Sequence, residues 1–291
     1  MRVGTRGSAL ALAQAGWVAA RLPVEAELVT ITTSGDRGAA GDKARFVKEL
    51  EEALLAGEVD LAVHSAKDVP GELADGLAIV GVPQRADPLD ALCGAASLSA
   101  LPDGAVVGTG SLRRRAQLLA LRPELEVRGL RGNVDTRLRR LAQGRYDALV
   151  LARAGLARLG RAAEGEPLPE LVPAPGQGCL ALEAREGDAA AQEVAAAVTD
   201  RSALIALTAE RALVMALDAS CHTPMGAHAV LRGEALELSA FAGLPDGSRW
   251  VRDQVEGDPA EPSALGREVA GRLLTAGADA ILREAEQVGS A

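Results

Sequence analysis

The sequence predicts an α/β protein of two lobes, each built on a mixed, mainly parallel sheet, followed by a smaller C-terminal α+β domain. Three observations carry this. From Arg2 to Val198 short apolar strands alternate with helical segments, the βαβ rhythm that places helices on the faces of parallel sheets. The two halves of that region open in nearly the same words, Val3-Gly4-Thr5-Arg6-Gly7-Ser8 and Val107-Gly108-Thr109-Gly110-Ser111. From Arg201 a strong helix and alternating strands replace the rhythm. A chain of 291 residues exceeds one ordinary core. The expected units are 1–84 with 177–197, then 87–173, then 200–291.

Arg2 to Thr5 reads as a strand, Ser8 as an N-cap, and Ala9 to Leu22 as a helix stopped by Pro23. Glu27 to Thr33 alternates as a strand, and Ser34 to Asp42 is a Gly-rich charged loop. Phe46, Leu50, Ala53 and Leu54 share a helical face that ends at Gly57. Leu61 to Val63 and Leu77 to Val82 are buried strands. In the second lobe Ala105 to Gly108, Glu126 to Arg128 and Ala148 to Ala152 read as strands. Helices follow at Leu112 to Leu121, Asp135 to Gln143 and Gly155 to Leu159. Pro167 to Pro175 leads back to a strand at Cys179 to Glu183 and a helix at Ala189 to Val198, which rejoin the first lobe. The last domain has a helix at Ala203 to Leu217, strands at Ala235 to Ala242 and Arg249 to Val255 around an Asp246-Gly247 hairpin, and one long helix from Ser263 to Gln287.

Hydrophobic residues make up 48% and charged residues 24%, a globular composition. Aromatics are only 2%, so Leu, Val, Ala and Ile must build the core. A net charge of −9 argues against general nucleic-acid binding. Between Ser111 and Arg145, however, ten arginines face only Glu124, Glu126 and Asp135. Such a local basic field suits a focused site for a small anion, although helical arginines also form solvated faces. Cys93, Cys179 and Cys221 are widely spaced with no CxxC, so neither a disulfide framework nor a metal site is expected. Thr5, Arg6, Ser8 and Gln14 interrupt the apolar N-terminal run, which reads as strand and helix rather than leader. No segment approaches the ~18 apolar residues of a membrane span. A cytoplasmic location is expected.

Helix N-termini with arginines attached bind anions, and the chain offers several: Arg6 with Ser8, Ser111 with Arg113 and Arg114, and Arg131 with Arg137. No GxxxxGK[ST] and no GxGxxG after a strand occurs, so nucleotide loops are not indicated. Several separate arginine forks suit a ligand with many carboxylates. Asp68 follows a buried strand and precedes Val69-Pro70, where a carboxylate faces the crevice of an α/β sheet. It reads either as stabiliser of a developing cation or as a turn aspartate capping local N–H groups. Cys221, on a loop held by Pro224 and Gly226, reads either as a reachable thiol or as a small buried hydrophobe. His64 reads as a core or hinge histidine and His228 as structural, while His222 stays open.

Together the motifs resemble the porphobilinogen deaminase (hydroxymethylbilane synthase) family. They are Gly4-Thr5-Arg6-Gly7-Ser8, Phe46-Val47-Lys48-Glu49-Leu50, His64-Ser65-Ala66-Lys67-Asp68-Val69-Pro70, Gly108-Thr109-Gly110-Ser111-Leu112-Arg113-Arg114, Leu130-Arg131-Gly132-Asn133-Val134-Asp135-Thr136-Arg137-Leu138, Pro175-Gly176-Gln177-Gly178 and Cys221-His222-Thr223-Pro224-Met225-Gly226. They stand in family order and span nearly the whole chain.

The resemblance implies two lobes like those of periplasmic binding proteins, and a third domain whose Cys221 holds a dipyrromethane cofactor through a thioether. It implies stepwise condensation of four porphobilinogen molecules, each losing ammonia to give a cationic azafulvene, into a linear tetrapyrrole. Asp68 would be catalytic. Lys43, Ser65, Lys67, Thr109, Ser111, Arg113, Arg114, Arg131 and Arg137 would bind the cofactor, and Arg6, Ser8, Arg158 and Gln177 the substrate. It further implies a monomer that hands its product to uroporphyrinogen-III synthase. The stretch Ser34 to Lys43 is shorter than in familiar relatives, and Gly129 stands where a serine often occurs. Two other readings fit part of the pattern. A non-catalytic binder of the same fold leaves Cys221 without a role. A Cys-His hydrolase using Cys221 with His64 or His222 leaves the arginines unused.

Overall fold

The computed structural model describes residues 1–33, 47–219 and 223–289. The first sheet contains β1 (Arg2–Arg6), β2 (Glu27–Ile31), β3 (Leu61–Ser65), β4 (Leu77–Gly81) and a late strand, β10 (Leu180–Arg185). Its order is β2-β1-β3-β10-β4. β1 pairs parallel with β2 and β3, and β10 runs antiparallel between β3 and β4. The second sheet contains β5 (Asp90–Cys93), β6 (Val106–Gly108), β7 (Glu126–Arg128), β8 (Ala148–Ala152) and β9 (Glu166–Leu168). Its order is β7-β6-β8-β5-β9, with β6 parallel to β7 and β8 and β5 antiparallel between β8 and β9. The two sheets therefore have the same spatial order and strand directions, although the antiparallel strand comes last in the chain in the first and first in the second. The repeated wording at Val3 and Val107 marks equivalent strands, β1 and β6.

In each sheet the antiparallel strand is the one that immediately follows a crossing between the lobes, β5 in the second and β10 in the first. The chain crosses between lobes at 82–89 and again at 169–179.

Helices cover both faces of the first sheet. α1 (Ala9–Ala19) is capped by Ser8, whose hydroxyl accepts the Ala11 N–H at 3.3 Å. With α6 (Ala189–Ala196) it buries Val3, Leu61, Val63, Leu180 and Leu182. On the opposite face α2 (Lys48–Leu55) packs Leu50, Ala53 and Leu54 on Ala62 and Leu77. The second sheet is covered by α3 (Leu112–Leu121), α4 (Val134–Ala142) and α5 (Arg153–Arg158). Ser111 caps α3 and Asn133 caps α4. β5 and β9 had no expected counterpart: strands of three or four residues, one carrying a proline, show no periodicity.

The third sheet, β11 (Met225–Arg232), β12 (Ala235–Gly243) and β13 (Trp250–Gly257), is an antiparallel meander. It packs on α7 (Arg201–Ala216) and α8 (Pro262–Thr275). The two helices approach closely at Gly266, where a Cβ would stand 2.4 Å from the Ala209 carbonyl oxygen. The single long C-terminal helix expected from periodicity is corrected here. It breaks into α8 and α9 (Ala278–Gly289) at Gly277, whose φ of +95° no helix accommodates. The break turns Ile281 and Ala285 onto Leu244 of the same domain. Among the described residues no helix is long and apolar enough to cross a membrane.

Candidate active site

Of the expected site residues, Arg6, Ser8, Ser65, Lys67, Asp68, Thr109, Ser111 and Arg131 stand at or just beyond the C-terminal ends of parallel strands, where α/β sheets open their crevice. Arg6 ends β1 and is followed by Ser8 at the head of α1. Ser65 ends β3, and its hydroxyl exchanges hydrogen bonds with the buried Gln14 amide at 2.8 and 3.2 Å. The chain then makes a 3₁₀ turn, Ala66–Asp68, which holds Lys67 and Asp68 half-buried. From the second lobe, Thr109 and Ser111 stand between β6 and α3, and Arg131 and Arg137 flank the N-terminus of α4. Arg158 ends α5. The lobes meet where Gly155 of α5 lies against Leu10 of α1. Lys43 and Cys221 lie outside the described residues, as does His222.

Thr109, Ser111 and Arg131, with Arg115, Gly129 and Arg140, line a pocket of about 490 Å³. A Cβ at Gly129 would meet nothing within 4 Å, so the glycine widens this pocket rather than relieving a clash. Arg137 donates from Nε to the Gly132 carbonyl at 2.7 Å, and Arg158 from Nη2 to the Gly178 carbonyl at 2.8 Å. Among the described residues neither has an ion pair with a carboxylate. Burial, reinforced by Arg114 and Arg140, pushes the Arg137 guanidinium down to about 10. Burial also lowers Arg158. Both positions hold cations that want an anion.

Arg113 and Arg114 have one. Both are almost fully buried, and both grip Asp90, which has no exposed surface. Arg113 reaches its two oxygens at 2.7 and 3.1 Å, and Arg114 donates twice to Oδ1 at 2.9 and 2.7 Å. Burial alone would raise the Asp90 pKa; the pull of Arg113 and Arg114 overrides it and holds the carboxyl well below the usual aspartate range. This contribution to stability is present above the ordinary aspartate pKa and is lost as the pH falls toward the lowered one. Gln177 joins the cluster. Its amide nitrogen donates to Asp90 Oδ1 at 2.9 Å and to the Pro88 carbonyl at 2.8 Å. Its oxygen accepts from Lys67 Nζ at 3.2 Å.

A second buried carboxylate, Glu210 of α7, binds the crossings to the third domain. It accepts from Arg85 at 2.6 and 3.3 Å, from the Gly176 N–H at 2.6 Å and from the Ala229 N–H at 2.7 Å. Burial would lower the Arg85 pKa, but Glu210 outweighs it and raises it. Sequence reasoning missed Asp90, Arg85 and Glu210.

His64 is buried with Nε2 2.9 Å from Glu183 Oε2, which bears out a core role and leaves it poorly placed to serve as a hydrolytic base. His228 is half-buried, and burial lowers its pKa. Burial pushes the Cys93 thiol up to about 11 and the Cys179 thiol up to about 12. Both stay protonated at neutral pH. As pH rises past about 9 the unfolded chain sheds protons the folded one keeps, so each thiol then weakens the fold. Iodoacetamide at pH 8 is expected to alkylate neither cysteine in the native protein and both after denaturation. Peptide mapping that finds native Cys93 or Cys179 labelled as fast as a small-molecule thiol would contradict this burial. No group of three or more metal-ligating side chains occurs among the described residues.

Residues 1–193 match the family model described as porphobilinogen deaminase, dipyromethane cofactor binding domain, and residues 204–275 match porphobilinogen deaminase, C-terminal domain. The porphobilinogen deaminase of Thermus thermophilus is 49% identical over 294 residues, covering 97% of this chain and 98% of that one. That of Deinococcus radiodurans is 46% identical over 295 residues, covering 95% and 96%. Among solved structures, an ABC transporter periplasmic substrate-binding protein from Coxiella burnetii aligns at a TM-score of 0.43 and 16% identity, covering 70% of this chain and 94% of that one. The chain belongs to the porphobilinogen deaminase family, which condenses porphobilinogen into the linear tetrapyrrole hydroxymethylbilane on a dipyrromethane cofactor.

Proposed function

We propose that the crevice between the two lobes binds the growing polycarboxylate and that Asp68 carries the chemistry. The observation that supports this most directly is the pair Arg137 and Arg158, cations turned to backbone carbonyls with no carboxylate paired to them among the described residues. Every pyrrole of the substrate bears acetate and propionate arms, and such arms supply the missing anions. The same feature is the fit test for the cofactor: the pocket beside Thr109, Ser111 and Arg131 is walled by donors and cations, as a polycarboxylate requires.

The dipyrromethane, bound through Cys221, supplies the nucleophilic pyrrole carbon to which substrate units are added. Lys67, Ser65, Thr109, Ser111, Arg131 and Arg137, with Lys43, hold it by its carboxylates; Arg113 and Arg114, assigned to the same group, share their charge with the buried Asp90. Arg6, Ser8, Arg158 and Gln177 receive the incoming porphobilinogen. Asp68, negatively charged at the strand end, accepts hydrogen bonds from pyrrole N–H groups and stabilises the cation left when ammonia departs. It also stands ready to accept the proton released on bond formation. The units 1–84 with 177–197 and 87–173 form the crevice walls, and 200–291 carries Cys221. The protein acts in the cytoplasm as a monomer and passes its product to uroporphyrinogen-III synthase.

Intact-mass measurement with peptide mapping tests the core of this reading. The wild-type protein is expected to carry the mass of two linked pyrroles on the Cys221 peptide, and Cys221→Ser none. An unmodified wild-type chain that still gains no such adduct after incubation with porphobilinogen would overturn the assignment of Cys221.

A further inference from the structure

Three side chains thread the two lobes together beside Asp68. Lys67 of the first lobe donates to Gln177 Oε1, Gln177 Nε2 donates to Asp90 Oδ1, and Asp90 binds Arg113 and Arg114 of the second lobe. Gln177 lies on the return crossing, with Gly176 and Gly178 on either side at φ +71° and +91°. A primary amide can be turned end for end at almost no intrinsic cost, so its neighbours decide which end faces which way. Here both amide hydrogens have acceptors, the Pro88 carbonyl and the Asp90 carboxylate. The amide oxygen is thereby directed at the Lys67 ammonium. Turning the amide over would set oxygen against carboxylate and NH₂ against ammonium, two repulsions of which the first falls on the fully buried Asp90.

We propose that Asp90 is a positioning residue for the condensation: its carboxylate fixes the arginine pair and, by orienting the Gln177 amide, fixes Lys67 beside Asp68. Counter-charge alone would require nothing of Gln177. The inference rests on the reading of Asp68 and Lys67 given above and adds to it a residue that touches neither substrate nor cofactor. Because Asp90 sits on β5 at the end of the first crossing and Gln177 on the second, the thread also sets the register between the lobes at the reacting centre.

The test is a double-mutant cycle of D90N and Q177M on the full-length holoenzyme. Asparagine keeps the shape of Asp90 but accepts either end of the Gln177 amide, and methionine keeps the length of Gln177 without its polarity. Three quantities are read: kcat and KM for porphobilinogen, and the rate at which acetic anhydride acylates the Lys67 amine relative to the exposed Lys48. Each single variant is expected to lower kcat about 10–100-fold and to raise Lys67 acylation about threefold or more; D90N should change KM less than about threefold, whereas Q177M, which also removes a group assigned to the incoming substrate, should raise it further. The double variant should be no worse than D90N, because both break one thread. Multiplicative losses in the cycle, or Lys67 acylation unchanged in D90N, would overturn the proposal and leave Asp90 a counter-charge only. Should D90N fail to melt cooperatively, D90E keeps the charge and displaces it by one methylene; unchanged acylation there overturns the proposal equally. D68N measured in parallel separates the two levels. If D68N retains turnover, the reading of Asp68 fails, whereas the acylation result still reports on Asp90 and Gln177.

Discussion

Asparagine in place of Asp68 is expected to leave the fold intact and to lower turnover about 10²–10⁴-fold. The two side chains have the same shape, and Asp68 is half-buried at the end of a 3₁₀ turn, so little packing changes. What disappears is the negative charge. Loss of ammonia leaves a cation that asparagine's neutral dipole stabilises far less, and the amide cannot take the proton released later. Circular dichroism and melting should match wild type, while single-turnover consumption of porphobilinogen should collapse. A rate within about threefold of wild type would show that another group carries the charge. Asp68→Glu probes position rather than charge, and an intermediate rate there would fit a requirement for placement.

The largest effect on stability is expected from Glu210→Ala. One carboxylate accepts from Arg85, Gly176 and Ala229, three segments remote in sequence. Its removal strands a buried guanidinium and two buried N–H groups. Breaking a buried ion pair from one side costs about 3–5 kcal/mol. For a chain of this size that is a fall in melting temperature of roughly 10 °C. Calorimetry on freshly purified protein measures it, and a shift below about 2 °C would mean that water or a side-chain rearrangement rescues Arg85. Replacing Arg85 and Glu210 together with well-fitting apolar residues should recover part of the loss, since no charge is then left buried alone.

Features encoded within a few residues of each other were legible in the sequence. Ser8 and Ser111 cap the helices they precede, and the repeated words around Gly4 and Gly108 mark equivalent strands in sheets of the same order. Features that depend on distant partners were not. Ten arginines could be counted between Ser111 and Arg145, but not how they are used. Arg113 and Arg114 grip Asp90, Arg122 and Arg128 pair with Glu124 and Glu126 at the surface, and Arg137 is left with a backbone carbonyl. The motif words located the crevice; the carboxylates that tune its positive charge come from elsewhere in the chain. Gly277 was passed over because one glycine costs a helix only about 1 kcal/mol, too little to predict a break without knowing what Ile281 must reach.

The interleaved first sheet has a consequence for how the protein is made. β3 and β4 do not touch within that sheet; β10 lies between them, and about a hundred residues separate it in the chain from β4. On a ribosome, where a chain lengthens by roughly 5–20 residues per second, the gap corresponds to roughly 5–20 s. For that interval the nascent chain carries two strand edges awaiting the same partner. The second sheet has no such wait, because its central antiparallel strand β5 is the first of its five to emerge. The first lobe is thus the later of the two to be closed.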